Sequence, residues 1–358
     1  MSQFSVVDEP DHDRWDRFVD EHPKGSIFHT SSMRDVFRDT KHYEPLVLAA
    51  LDGAGEILAL LLAVRVQTLP GPLGSISSRS ILYAEPLCRA DAHGVDALTT
   101  LLAEHDARMR NRVLFTEVRP LRAAGLERIA LQHGSYAHED YLNYLICLRR
   151  PASELWDMMT KECRKNIRGS SKRGVTVDDM TTAQGVEILY HILQRTYERA
   201  KVPLADRSMF AAAFAILQPR GLMKIFIAWY QERPVAAQVV LLYKHTVYAW
   251  HAGVERIKSI YPGESVTWYT LEWGQRQGYE LFDFGGAGWP HKPYGVRDFK
   301  AKFGGELVNY GRYRRVYAPW KLAVAERGYE VARNLVNPTN WRLRIKARHA
   351  PGQVVKPS

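Results

Sequence analysis

The distribution of apolar and polar residues predicts one structural unit that occurs twice. In the first copy, apolar strands at 45–51 and 57–66 flank a glycine-containing turn, and β-rich sequence continues to Tyr83. Apolar residues at three- and four-residue spacing then predict a helix at about 91–110, and a strand follows at 113–118. The unit is therefore a hairpin, a further strand, a helix and a final strand.

The same order of elements recurs in the second half of the chain. Strands are predicted at 223–230, 235–243 and 246–252, then a helix at about 263–277 and a strand at 280–284. Two copies of this size are too few and too large for a solenoid, so they predict tandem domains with mixed α/β sheets. We place the domains at 1–150 and 151–318, followed by a basic helical extension and tail at 319–358.

The segments outside the two units are mostly helical in pattern. A helix with Ser153 at its N-cap is predicted to run to Lys172 and to end at Gly174. Further helices are predicted at 185–201, 206–217 and 319–335, with a short basic helical segment at 341–349. Residues 351–358 are expected to be disordered.

The net charge of +10 is concentrated near the C-terminus. Residues 312–358 contain eleven Lys and Arg but only two Glu. Such a segment favours an anionic partner: tRNA, a phosphorylated substrate, or an anionic membrane contacted through 312–348. The alternative is a solvated helix face without a partner.

Several classes of protein find no support in the sequence. The three cysteines lack metal-type spacing, and no stretch is apolar enough for a membrane span. The acidic N-terminus does not resemble a signal peptide, so we expect a cytoplasmic protein, soluble or peripheral at the inner membrane face. Metal and nucleotide hydrolysis lack their motifs.

A basic helix at the start of the second domain is the first candidate site. Lys161, Arg164, Lys165, Arg168 and Lys172 fall on one face of it. Guanidinium groups match phosphate oxygens, so we expect Lys161, Arg164 and Arg168 to bind a phosphate of a substrate. A solvated surface is the alternative. The same basic neighbours are expected to lower the pKa of Cys163.

The second candidate site is the strand end that contains Asp283. The acid is followed by Gly285 and Gly286, which would let a ligand approach the backbone closely. This arrangement could bind an amine; the alternative is an ordinary tight turn.

Lys300, within the run 299–305, is the third candidate. In an extended segment Lys300 and Lys302 would share one face and Phe299 the other. A cation beside buried aromatic rings could stabilise an oxyanion, whereas a lysine pair on an edge strand would only limit aggregation. His251 lies in an apolar strand, where a core histidine is the commoner interpretation.

Together these residues carry a family resemblance. The chain resembles the FemAB-like (FemXAB/BioF2-like acetyltransferase) branch of the GNAT superfamily. The likeness rests on four features: 15–18 with 26–30; 155–156 with 161–175; Ala249-Trp-His-Ala-Gly253 with Tyr261-Pro262; and Phe282-Asp-Phe-Gly-Gly286 with Phe299-Lys300 and Phe303-Gly-Gly305. The last feature is the most specific.

The resemblance implies transfer of an acyl or aminoacyl group to an amine. Lys300 matches a lysine implicated in catalysis, we assign Asp283 to the acceptor, and His251, Tyr261 and Phe299 become substrate-binding candidates. It implies no permanently bound cofactor, with acyl-CoA or aminoacyl-tRNA as co-substrate and a phosphorylated or lipid-linked acceptor. Peptidoglycan, exopolysaccharide or other envelope synthesis would be the setting.

Two departures from the family leave the donor open. The chain has no room for a coiled-coil arm between residues 178 and 223, and 255–263 lacks the spaced glycines of a CoA pyrophosphate loop. A second hypothesis therefore stays open: a non-catalytic module that binds RNA or membrane through its basic surface.

Overall fold

The computed structural model describes residues 4–67 and 77–335. Two mixed β-sheets form its framework. The first sheet contains β1 (Phe4–Asp8), β2 (Tyr43–Asp52), β3 (Ile57–Gln67), β4 (Ser78–Leu82), β5 (Leu87–Cys88), β6 (Phe115–Val118), β7 (Ala137–Glu139) and β15 (Arg312–Val316). The second contains β8 (Leu142–Cys147), β9 (Thr176–Asp179), β10 (Met223–Tyr230), β11 (Arg233–Tyr243), β12 (Thr246–Val254), β13 (Leu281–Gly288) and β14 (Glu306–Asn309).

Helices accompany both sheets. They are α1 (His12–Glu21), α2 (Ser31–Arg38), α3 (Ala92–Met109), α4 (Glu127–His133), α5 (Ala152–Met158), α6 (Lys161–Lys172), α7 (Ala183–Ala200), α8 (Arg207–Leu217), α9 (Pro262–Arg276), α10 (Gly295–Ala301) and α11 (Pro319–Leu335). The segments expected at 341–349 and 351–358 lie outside the described residues.

The duplicated unit is confirmed. Its first copy is β2, β3, β4, α3 and β6, and its second copy is β10, β11, β12, α9 and β13. In each copy the strand before the helix pairs in parallel with the strand after it, at Leu82 beside Val118 and at Tyr248 beside Asp283. The fold class is therefore the expected one, two tandem GNAT-like units with mixed sheets, followed by α11.

The two sheets exchange strands across the boundary expected at residue 150. β8 pairs with β13 and β14 in the second sheet, although it precedes that boundary. β15 lies between β6 and β7 in the first sheet, although it follows the whole second unit. The division into 1–150 and 151–318 thus stays a prediction, and each sheet needs chain from the other side of it.

A shared hydrophobic core joins the two halves. Trp15 and Phe37 from the first half and Phe210, Leu241 and Tyr248 from the second belong to one buried cluster. Burying side chains of this size stabilises the folded state by roughly 2–3 kcal/mol each. The two halves of the molecule are therefore joined by one continuous hydrophobic core.

The helix expected at 153–172 is wrong as a single element. It breaks into α5 and α6 because the Thr160 N–H donates to the Lys302 carbonyl oxygen at 2.9 Å and leaves the helical ladder. The Thr160 hydroxyl then caps α6 by accepting from the Cys163 N–H at 3.2 Å. Ser153 caps neither helix. The end near Gly174, where φ is +91°, is confirmed.

The extended conformation expected for 299–305 is also wrong. Lys300 lies in α10, and successive helical side chains rotate by about 100°, so Lys300 and Lys302 do not share a face. Lys300 is buried, while Lys302 reaches the carboxylate of Glu264 at 3.3 Å. Likewise, Gly285 and Gly286 do not follow the strand in a tight turn: they lie within β13, beside bulges in its pairing with β8.

Candidate functional site

The parallel strands β12 and β13 diverge at Tyr248 and Asp283. Up to that pair they are joined in register; beyond it β12 continues only along β11, and β13 only along β8. A bulge at Trp250 in the pairing of β12 with β11 adds to the distortion. In open α/β sheets, ligands bind beyond the carboxyl ends of strands at such interruptions.

A cavity of about 190 Å³ lies at this opening, between the two halves of the molecule. Its wall contains residues of both sheets and of the loops after β6 and before β15. They are Phe28, Tyr83, Arg119, Pro120, Leu121, Tyr141, Asn143, Tyr248, Ala249, Trp250, Asp283, Gly285, Gly286, Gly311 and Arg312. The cavity is large enough for a small ligand or for the end of a larger one.

Asp283 places a buried carboxylate in the cavity wall. Its side chain is 2 % exposed, and Oδ1 accepts the Gly285 N–H at 2.8 Å. Among the described residues, nothing donates to Oδ2. Burial raises the pKa of Asp283, while the Gly285 N–H, Arg122 and Lys300 act in the opposite direction. A buried oxygen without a donor is costly, so the site suits a ligand that carries N–H groups.

Gly285 and Gly286 keep the wall beside Asp283 free of side chains. Gly285 has φ +73°, a conformation that residues with a Cβ rarely adopt. A Cβ on Gly286 would lie 2.8 Å from a ring carbon of Tyr141. Glycine is therefore required at both positions, and the ligand meets backbone there.

Lys300 lies in α10, close enough to Asp283 for their charges to interact, but it is not among the residues that line the cavity. Its Nζ donates to the carbonyl oxygens of Phe284 and Gly286, the latter at 2.8 Å, and its side chain is 7 % exposed. Burial lowers the pKa of Lys300 to about 8, although Asp283 opposes the shift. An ammonium group has three N–H donors, so one remains for a further acceptor.

Phe299 and Tyr261 lie around the first turn of α9. The half-buried Phe299 ring packs on Phe303, with centroids 5.3 Å apart, and lies 3.8 Å from where a Cβ on Gly263 would be. Tyr261 is exposed, and its backbone N–H donates to the Ser170 hydroxyl of α6 at 2.9 Å. Neither side chain lines the cavity at Asp283.

His251 is placed away from the other predicted site residues. Its Nδ1 shares a hydrogen bond of 2.8 Å with the Tyr197 hydroxyl, and its ring packs on Phe210 of α8 at 5.0 Å. Burial lowers the pKa of His251 to about 4, so the ring is neutral at pH 7. This is the environment of a core histidine; its substrate-binding role stays a prediction.

The basic face of α6 lines a separate, open groove of about 490 Å³. Its lining residues are Lys161, Arg164, Lys165, Arg168, Gly169 and Lys172. Arg164 donates to the carbonyl oxygen of Asp157 at 2.8 Å, and Arg168 lies 5.0 Å from the ring centroid of Trp156. The groove shares no lining residue with the cavity, but α6 contacts the elements around it through the Ser170–Tyr261 and Thr160–Lys302 bonds.

Cys163 does not fit the expectation of an activated thiol. It points into the core instead of towards the basic face, and burial raises its pKa to about 12. No cluster of His, Cys, Asp or Glu in the described part of the chain could hold a metal ion. None of the helices within residues 4–67 and 77–335 is long and apolar enough to cross a bilayer.

Two arginines in the cavity wall were missed by the sequence reasoning. Arg119 and Arg312 both donate to Oε1 of Glu117, at 2.7 and 2.9 Å. The sequence contained a signal for Arg119. This residue directly follows β6, which is the strand of the first copy that corresponds to β13, and in β13 the equivalent region contains Asp283 and the glycines. Arg312 was counted only as part of the basic C-terminal segment, since nothing in the sequence shows that β15 returns to the first sheet.

Comparison with known proteins agrees with this architecture. The family model described as an acetyltransferase (GNAT) domain matches residues 160–293, which include the basic helix, both diverging strands and Asp283. No curated protein sequence matches the chain.

Solved structures with the same fold cover nearly the whole chain. FemX aligns with 90 % of this chain and 100 % of its own, at 13 % identity and a TM-score of 0.67. L-PGS from Bacillus licheniformis aligns with 90 % of this chain and 98 % of its own, at 16 % identity and a TM-score of 0.55. A tandem GNAT protein from the clavulanic acid biosynthesis pathway covers 88 % and 98 %, at 12 % identity and TM-score 0.56. At these identities the likeness establishes the fold, and it confirms the FemAB-like resemblance at that level.

Proposed function

We propose that this chain, whose residues 160–293 match the family model of a GNAT acetyltransferase domain, transfers an acyl or aminoacyl group to an amine acceptor. The observation that carries the proposal is the Asp283 carboxylate, buried in the wall of the cavity with Oδ2 lacking a donor. An acceptor amine supplies the missing N–H groups and comes to lie at the divergence of β12 and β13.

Asp283 binds the acceptor as an ammonium ion and takes its proton. An amine attacks a carbonyl only when its nitrogen lone pair is free, so a proton must leave before the C–N bond forms. Because burial raises the pKa of Asp283, this carboxylate is a better proton acceptor than an exposed aspartate.

The amine nitrogen then attacks the carbonyl carbon of an ester or thioester. The C–N bond forms, the C–O or C–S bond breaks, and the leaving oxygen or sulfur takes the electron pair together with the proton that the nitrogen loses as it becomes an amide. Lys300 lies next to the cavity without lining it and has one N–H donor left, to which we assign the stabilisation of the negative charge on the carbonyl oxygen. The donor is already activated, so positioning contributes much of the rate.

The basic groove on α6 holds phosphate groups of the donor. Aminoacyl-tRNA, acyl-CoA and acyl carriers all contain phosphate groups, and in the last two the pantetheine arm separates the phosphate from the thioester. Lys161, Lys165 and Lys172 are exposed along the groove, and the Arg168 guanidinium lies at its edge. Thermal-shift measurements with acyl-CoA and with charged tRNA separate these donors, because only a ligand of the folded state raises the melting temperature.

Synthesis of the cell envelope is the proposed setting. One solved structure with this fold is named as the C-terminal domain of a lysylphosphatidylglycerol synthetase from Agrobacterium fabrum, and lysylphosphatidylglycerol is a lipid. The FemAB-like resemblance implies a peptidoglycan precursor as the acceptor. A phosphorylated or lipid-linked acceptor fits both. Nothing in the structures compared favours an exopolysaccharide.

The test is the Asp283→Asn enzyme, assayed with acyl-CoA and aminoacyl-tRNA donors and a panel of amines. We expect kcat/KM to fall at least about 100-fold, because amide oxygen is a poor proton acceptor. Binding of the donor, measured separately, should not change. The matched control is Glu280→Gln, which removes an exposed carboxylate paired with Arg149 just before β13. Wild-type turnover in Asp283→Asn would contradict the proposal.

A further inference from the structure

The cavity that contains Asp283 is also lined by positively charged side chains. Arg119 and Arg312 both line it, and the carboxylate that pairs with them, Glu117, is shared. Two guanidinium groups against one carboxylate leave one positive charge in excess. A third arginine, Arg122, lies close enough to interact with Asp283 and forms no ion pair within the described residues.

Both arginines have N–H donors that remain available for a ligand. Each guanidinium has five N–H donors, and each spends one bond on Oε1 of Glu117. The remaining contacts are with ring faces: Arg312 lies 3.5 Å from the centroid of Tyr141, and Arg119 lies 5.5 Å from that of Tyr83. Burial, together with the nearby charge of Arg119, lowers the pKa of Arg312. Although burial acts to lower it, Glu117 raises the pKa of Arg119, so the incomplete compensation in this partly buried pair lies at Arg312.

We infer that the acceptor is an amino acid or amino-acid-like compound, whose amine binds Asp283 and whose carboxylate binds Arg119 and Arg312. The inference rests on the proposed function, which requires an amine at Asp283, and adds the second group of that substrate. A planar guanidinium binds a carboxylate with two parallel hydrogen bonds, so the pair also fixes the direction in which the acceptor enters.

The charge balance favours a carboxylate over a phosphate. The excess at Arg119 and Arg312 is a single positive charge once Glu117 is counted, which a monoanion neutralises. A phosphate monoester carries nearly two negative charges at pH 7, which is one more than the pair of Arg119 and Arg312 neutralises. The cavity volume of about 190 Å³ is also sufficient for a ligand, or for the end of a larger ligand, that is about the size of an amino acid.

Binding of small probes to the full-length protein tests the inference without any donor. Dissociation constants are measured for glycine, β-alanine, 4-aminobutyrate, propylamine, propionate and O-phosphoethanolamine. We expect at least one amino acid to bind about tenfold or more tightly than propylamine and propionate, because it alone satisfies both walls.

The Arg312→Gln variant should remove the preference for amino acids over propylamine. Glu117 stays paired with Arg119 in this variant, and the melting temperature reports whether the fold persists. Arg312→Lys keeps the charge without the planar fork and should retain a smaller preference. The control is Arg108→Gln, whose guanidinium pairs with Asp8 and Glu104 on the surface, and whose preference should equal that of the wild type.

Each other outcome overturns the inference. These outcomes are propylamine binding as tightly as every amino acid, no binding of any amino acid, and an unchanged preference in Arg312→Gln. O-phosphoethanolamine as the tightest probe would assign the site to phosphate. Failure of the proposed function is distinct: amino acids would bind with the expected preference, yet no donor would acylate any amine. Acylation of simple amines without a carboxylate preference would leave the function standing and remove only the inference.

Discussion

At the scale of single residues, the site is built from one buried acid and several buried cations. Asp283 and Lys300 lie close to each other at β13, and each shifts the pKa of the other. Between them the backbone of Gly285 is held by the Asp283 carboxylate at its N–H and flanked by the carbonyl groups that Lys300 binds. The charges therefore fix the shape of the strand as well as the chemistry at its surface.

The role of Lys300 predicts a pH dependence. Its folded-state pKa of about 8 lies below the ordinary lysine value, so it is protonated below that pH and neutral above it. If the protonated form stabilises the oxyanion, kcat declines as pH rises through about 8. A Lys300→Arg enzyme stays charged throughout this range, so its pH–rate profile should lose that decline.

Lys300→Ala is the decisive comparison for this role. Loss of one donor to a developing oxyanion typically lowers kcat by roughly 100- to 1,000-fold. A Lys300→Ala enzyme with full turnover at all pH values would remove Lys300 from the mechanism and leave it a structural role at β13.

At the scale of elements, short interruptions position the groove relative to the cavity. The break between α5 and α6 lets Thr160 bond to Lys302, directly after α10. Gly305 reinforces this corner: its φ is +96°, and a Cβ there would lie 2.4 Å from the Leu145 carbonyl oxygen of β8. The Phe303-Gly-Gly305 motif is therefore explained by chain geometry.

The cap at Thr160 gives a prediction of stability at this scale. Thr160→Ala removes the acceptor for the Cys163 N–H and should lower the free energy of unfolding by about 1 kcal/mol. Thr182 occupies the same N-cap position at α7 but makes no capping bond, so Thr182→Ala serves as the matched control and should change little. Equal effects of both substitutions in chemical denaturation would show that the cap does not stabilise α6.

At the scale of the whole molecule, the exchange of strands ties the two halves together. β15 completes the first sheet, and the residues around it anchor in a buried network: Arg315 and Tyr317 both bind the carboxylate of Asp106. The same exchange carries Arg312 to the cavity. The substrate pocket is therefore a product of both copies of the unit.

The C-terminal segment supplies a prediction at this scale. α11 exposes Trp320 by 70 % and Val324 by 61 %, on a helix that begins a strongly basic part of the sequence. Exposed apolar side chains beside positive charge favour an anionic membrane surface. We expect full-length protein to bind vesicles containing anionic lipid, and binding to weaken as salt increases.

Residues 1–318 form the matched comparison for membrane binding, because they retain β15 and Tyr317. This shorter protein should keep its melting temperature and lose most vesicle binding, and Trp320→Ala with Val324→Ala should weaken binding in the full chain. Equal binding by residues 1–318 would show that the membrane contact lies elsewhere. Parallel titration with tRNA tests the other partner expected for 312–348.

Local patterns made much of the fold predictable. The strands at 223–230 and 235–243 and the helix at 319–335 were predicted nearly to the residue, because their apolar periodicity and flanking turn residues depend only on nearby sequence. Predictions failed where a distant backbone group intervened, as at Thr160. They also failed at α10, whose seven residues are too few to show a clear periodicity.

The sequence by itself determined the duplicated unit and the basic face of α6, and it predicted the strand of Asp283 as a candidate site, because each of these depends on residues that are neighbours in the chain. Only the tertiary structure decided which residues meet. It buried Lys300 on a helix, placed His251 among core aromatics, and brought Arg119 and Arg312 opposite Asp283. Such meetings depend on strand pairing between segments nearly 200 residues apart, as between β6 and β15, and local periodicity contains no information about that pairing.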